Sequence, residues 1–127
     1  MWIETLSSLE EVDAALTASD KSGMKAVITM SFDTAKKTMM GVSPYEFVKF
    51  INNRRNKPLA IGANCGIGPS ELLISMKEIK DHFKEARDKA LKTKDVASDD
   101  GLEMISNPLN PVKVAVYRRH HIVEITN

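Results

Sequence analysis

Apolar and polar positions along the chain switch between two periodicities. Leu9, Val12 and Leu16 recur at helical spacing, and Ala14, Ala15 and Ala18 between them favour helix. Ser7-Ser8 followed by Glu10-Glu11 gives the capping-box spacing that starts this helix, and Gly23 is placed to end it. The apolar pair Trp2-Ile3 runs into Glu4-Thr5 just ahead of it and reads as a strand end. From Met24 to Phe32 the apolar positions run together instead of alternating, the pattern of a strand covered on both faces of a parallel sheet. A polar, glycine-containing loop over 33–42 leads to Ser43-Pro44 with Glu46, which combines a cap, a first-turn proline and a capping box. Phe47, Phe50 and Ile51 supply the buried face of that second helix, and Pro58 closes its polar exit. Leu59-Ala60-Ile61 is the third strand signal.

From Pro69 a long helical pattern places Leu72, Met76, Ile79, Phe83, Ala86 and Ala90 on one stripe. The opposite side is densely charged, with Glu85–Lys89 and Asp88–Lys92 in the favourable i,i+4 orientation. Such charges form a solvated face, and the narrow stripe also has the form of a coiled-coil seam, which hints at a homo-oligomer. The pattern breaks over 94–101, and Asn107-Pro108 with Asn110-Pro111 marks a turn-rich connection. Val112-Lys113-Val114-Ala115-Val116-Tyr117 and His121-Ile122-Val123-Glu124-Ile125 then read as two strands of a hairpin around Arg118-Arg119-His120.

Strands alternating with helices predict βαβαβ units, a parallel sheet and right-handed crossovers. Starts near Trp2, Lys25 and Leu59 suit the repeat of a (β/α)8 barrel, which needs about 250 residues when complete. An open doubly wound sheet is the alternative, and spacing does not separate the two.

Composition narrows the function. The 127 residues allow one domain, and 43% apolar with 28% charged residues is an ordinary globular balance. A formal charge of +1 gives no electrostatic case for nucleic acid or an anionic membrane. No apolar run reaches the ~18 residues of a membrane span. Met1-Trp2-Ile3-Glu4 lacks the basic start of a secretory leader, so a cytoplasmic location is expected. One cysteine forms no internal disulfide, and the seven methionines read as core filler.

That cysteine, Cys65, lies in the turn between the third strand and the long helix, among Gly62, Gly66 and Gly68. A loop after the carboxyl end of a strand is where α/β proteins place their chemistry, and thiolates bind zinc. Gly62-Ala63-Asn64-Cys65-Gly66-Ile67-Gly68-Pro69 closely resembles the Gly-x-Asn-Cys segment of the homocysteine S-methyltransferase family. Its members include betaine-homocysteine methyltransferases and the first module of cobalamin-dependent methionine synthase. Trp2-Ile3-Glu4-Thr5 and Ser31-Phe32-Asp33 with Lys37-Thr38-Met39-Met40-Gly41 resemble further family segments, in the same order and spacing.

The resemblance runs over about residues 1–79, a partial homocysteine-binding barrel segment of three βα units, and leaves 80–127 as an unmatched tail with the helix end, a loop and the hairpin. It implies a methyltransferase of methionine biosynthesis, whose parent reaction moves a methyl group from a donor to the zinc-activated thiol of homocysteine. On this reading Cys65 is a zinc ligand, Glu4 pairs with the homocysteine ammonium, and Asn64 lies near the substrate. The other two ligands are an adjacent cysteine pair, which this chain lacks, so it is expected to be a fragment, inactive alone. His82, His120 and His121 read as surface residues and not as replacements: adjacent strand residues such as His120 and His121 point to opposite faces.

Other readings compete with this one. Glu4 also reads as a surface residue before a helix start, Asn64 as a turn former, and Cys65 as an inert loop thiol. Glycines ahead of a helix suit a phosphate, but there is no Lys-Ser or Lys-Thr after them and G-x-G-x-x-G is not matched. A Cys–His nucleophilic enzyme needs a base that no spacing locates. The opposing hypothesis is a non-catalytic half-barrel that pairs with itself or another chain, because a slice of sheet leaves strand edges open.

Overall fold

The structure is a computed structural model, and it describes residues 1–94, 113–118 and 121–125. Five strands form one sheet in the order β1-β2-β3-β4-β5: β1 (Trp2–Leu6), β2 (Val27–Met30), β3 (Ala60–Ala63), β4 (Lys113–Arg118) and β5 (His121–Ile125). The first four are parallel neighbours, and β5 turns back antiparallel on β4. Helices α1 (Leu9–Ser22), α2 (Pro44–Asn53) and α3 (Pro69–Lys94) fill the three connections between the parallel strands. Strands following one another in chain order lack the reversal that defines a doubly wound sheet. Crossovers of one hand in that order lay all helices on one face. The result is a mixed α/β sheet compatible with part of a βα barrel.

Local chemistry sets the element ends. Ser8 caps α1 and Ser43 caps α2, each in a complete capping box with Glu11 and Glu46 respectively. Gly23 ends α1 in the left-handed conformation, φ 70°, that glycine adopts without strain. The strands are shorter than the apolar runs: β2 keeps Val27–Met30 of a run reaching from Met24 to Phe32, and Leu59 lies outside β3 and is exposed. The turn-rich connection over 95–112 and His120 lie outside the described residues, and the side chain of His121 is not described.

Strand alternation sorts the core. Ile3, Ile28 and Ile61 share one register level; Met30 and Ala63 share the next level on that same face. Against that face pack Val12 and Leu16 of α1, Phe47, Val48 and Ile51 of α2, and Met76 and Ile79 of α3. Phe47 is fully buried and tilts against Phe32 with ring centroids 6.5 Å apart. In the first half of the α3 stripe, Met76 and Ile79 are buried within the chain's own core. On the helix side, Arg54 at the end of α2 reaches Asp13 and Asp20 of α1 and stacks 5.9 Å from the Phe50 ring centre, tying the two helices together. No helix of the described residues is long and apolar enough to cross a membrane.

Candidate active site at the carboxyl ends of the strands

The four described non-glycine residues with positive φ all lie where the chain leaves the carboxyl ends of β1, β2 and β3: Thr5 (65°), Ala35 (58°), Lys36 (57°) and Cys65 (56°). Such conformations cost on the order of 1 kcal/mol each and persist where surrounding contacts impose them. The contacts are visible. Between Ile3 and Leu6 the β1–β2 register slips by one residue, a bulge around Glu4-Thr5. Ser31 N–H donates to Leu6 O at 3.0 Å, and Asn64 N–H to Met30 O at 3.1 Å, so the loops after β2 and β3 are pinned to the ends of β1 and β2 respectively. Thr38, 4% exposed, donates its hydroxyl to Ser7 O at 2.5 Å and accepts from Val42 N–H at 3.1 Å. Lys36 Nζ lies 2.7 Å from Glu78 Oε1, and that carboxylate raises the lysine above its ordinary value.

The glycine after the thiol has one specific task. Gly66 has φ 80°, and a Cβ there stands 2.5 Å from the carbonyl oxygen of Phe32. Only a residue without a side chain lets the β3–α3 loop cross the β2 loop this closely.

At the centre is the Asn64 carboxamide. Its oxygen accepts from Thr5 N–H at 3.0 Å and from the Thr29 hydroxyl at 2.7 Å, and its nitrogen donates to Thr5 Oγ1 at 2.6 Å and to Cys65 Sγ at 3.3 Å. Asn64 is 3% exposed and Thr29 is fully buried. Three strand ends thus converge on one amide. Cys65 itself is exposed, not folded among aliphatic side chains. Glu4 is exposed as well, one residue before Thr5. It follows the core-facing Ile3 and sits in the bulge, where the regular alternation of the strand ends.

Sequence reasoning named Glu4, Asn64 and Cys65 and missed Thr5 and Thr29. Thr29 carries a signal of its own, a lone polar residue inside the run Ala26-Val27-Ile28-Thr29-Met30. A buried hydroxyl needs a partner, and here the partner is the motif asparagine.

The donor set is incomplete for zinc. Among the described residues no group of three His, Cys, Asp or Glu side chains converges to hold a metal ion. His82 sits on α3, edge-on to Tyr45 at 5.2 Å between ring centres and 3.8 Å from Glu85. A catalytic zinc takes three protein ligands and an open position, so the described residues do not fit it and no step is assigned to a metal.

A mostly parallel sheet with an amide and a thiol linked at its carboxyl edge defines a mixed α/β protein. The family model for homocysteine S-methyltransferase matches residues 1–117, past Ile79 where the motif resemblance stops, and takes in most of β4. The chain belongs to the homocysteine S-methyltransferase family. Comparison with curated proteins and with solved structures returned no match.

Proposed function

We propose that the chain is a segment of a homocysteine S-methyltransferase (β/α)8 barrel that carries the homocysteine-receiving part of the site and does not turn over alone. The parent reaction transfers a methyl group to the homocysteine sulfur and yields methionine. Glu4 takes the ammonium group: a carboxylate at a strand end on the sheet's mouth side attracts a cation more strongly as water is excluded. Cys65 stands on the sulfur side of the substrate as a single thiol of what is in the family a zinc site. Asn64 shapes this end of the site through the thiol it touches. Zinc is the group that supplies thiol activation in the family; with one thiol and no group of three His, Cys, Asp or Glu side chains among them, the described residues lack the ligand set to hold it firmly. Composition supports a cytosolic setting.

The observation that carries this reading is the hydrogen-bonded link from Thr5 through Asn64 to Cys65, which joins the Glu4 strand end to the motif loop. Cys65 is the chain's one cysteine, so its alkylation is read directly by mass. L-Homocysteine is expected to protect Cys65 from iodoacetamide in the parent chain beyond the protection given by the same concentration of 2-mercaptoethanol, which consumes the reagent without an ammonium group, and less well in Glu4→Gln. Incubation with betaine or S-methylmethionine and homocysteine is expected to yield no methionine. Equal protection by 2-mercaptoethanol overturns the homocysteine reading, and turnover by this chain overturns its inactivity.

One feature favours a second reading, self-association. β1 and β5 each end the sheet with one edge that no described strand pairs. A concentration-dependent dimer in sedimentation that homocysteine leaves unchanged supports this reading.

A further inference from the structure

We propose that Thr29, with Thr5, is a positioning residue that acts through Asn64 to hold an amide N–H against the Cys65 sulfur. This rests on the reading of Cys65 as the sulfur-facing group of the site. The amide's orientation follows from its partners. Thr5 N–H is an obligatory donor, so the group 3.0 Å from it is the carboxamide oxygen. The Thr29 hydroxyl at 2.7 Å then donates to that same oxygen. The –NH2 end is left facing Thr5 Oγ1 at 2.6 Å and Cys65 Sγ at 3.3 Å. A carboxamide has two acceptor lone pairs and two donor protons, and all four are engaged. Turning it over sets its –NH2 against the Thr5 N–H, an obligatory donor, inside a site that is 3% exposed at Asn64 and closed at Thr29.

The construction spans the sheet. Thr5 belongs to β1, Thr29 to β2 and Asn64 follows β3, so the middle strand's hydroxyl braces an amide that reaches across it to the first. The bulge at Glu4-Thr5 is what turns the Thr5 N–H out of the β1–β2 ladder toward Asn64. A donor directed at sulfur fixes where Sγ sits at the mouth of the loop, and a nucleophile held in one orientation meets an electrophile more often in the productive geometry. Loss of the Thr29 hydroxyl leaves the oxygen end with one anchor, and the N–H directed at sulfur loses its alignment.

The test is the second-order rate of iodoacetamide alkylation of Cys65 in the full chain at neutral pH, which needs neither metal nor homocysteine. Thr29→Val keeps the side-chain shape and removes the hydroxyl; Thr29→Ser restores it. Thr29→Val is expected to slow alkylation about three- to tenfold, the kinetic equivalent of one hydrogen bond, with Thr29→Ser recovering most of the rate. Thr5→Ala, at an exposed residue, removes one amide partner without opening the core and is expected to slow it also; it decides the matter if Thr29→Val does not fold. Alkylation at the parent rate in both Thr29→Val and Thr5→Ala, or equal slowing in Thr29→Val and Thr29→Ser, overturns the proposal. Homocysteine protection of Cys65 is read separately, so the loss of one result leaves the other standing.

Discussion

Replacing Gly66 with alanine probes the crossing of the two site loops. Two effects add. The residue has φ 80°, where a Cβ costs about 1–2 kcal/mol relative to glycine. The new methyl also stands 2.5 Å from Phe32 O, a backbone atom that cannot swing aside as a flexible side chain does. Relief requires the β2 loop or the β3–α3 loop to move, and overpacking of this kind costs about 1–3 kcal/mol. Gly23→Ala separates the terms: its φ is 70° with nothing within 4 Å of the new Cβ, so it bears the conformational cost alone. In urea the midpoint of Gly66→Ala is expected to fall below that of Gly23→Ala by about 1 M, taking ~2 kcal/mol and a slope of ~2 kcal/mol/M. Equal midpoints for the two variants refute the close crossing.

Arg54 links Asp13 and Asp20 from a side chain only 15% exposed, so Arg54→Met is expected to destabilise by about 1–2 kcal/mol in urea unfolding, the sum of two partly exposed pairs and a ring contact. The backbone N–H groups of Ser7 and Ser8 hold Glu11 below its ordinary value, and that of Ser43 does the same for Glu46. Because these folded values lie below the unfolded ones, both boxes stabilise fully above about pH 4.3 and lose that contribution as pH falls through the folded values. Glu11→Gln/Glu46→Gln is therefore expected to lower stability at pH 7 and flatten its fall in acid, read by unfolding at a series of pH values. Ile61 is fully buried at mid-sheet and Ile67 is 63% exposed: Ile61→Val is expected to cost about 1 kcal/mol and Ile67→Val within ~0.5, measured by thermal melting.

Much of this fold is written in local signals. The serine–glutamate boxes at Ser8 and Ser43, Pro44 at the start of α2 and Gly23 at the end of α1 place helix boundaries because each satisfies backbone groups within a few residues. The clustered apolar positions over 24–32 mark a buried parallel strand for a similarly local reason. Strand order is different: spacing is equally compatible with a doubly wound sheet, and only pairing shows β1 to β4 in sequence. The hairpin expected around Arg118-Arg119-His120 is present as β4 and β5, yet nothing local says that β4 joins β3 as a parallel neighbour.

The site divides in the same way. Asn64 and Cys65 stand out through their motif, while Thr29 contributes through a contact 35 positions away in the chain, invisible to any window. Thr5 is harder still, since its role depends on a bulge created by the pairing of β1 with β2. The strain at Ala35 and Lys36 is equally silent in sequence, neither being a residue that favours positive φ.

Titration of homocysteine into the chain, followed by calorimetry, reaches the central claim most directly. Saturable binding that weakens in Glu4→Gln and again in Cys65→Ala is the result expected if the ammonium and the sulfur are received at the ends of β1 and β3. Binding that is absent, or that both substitutions leave unchanged, contradicts it.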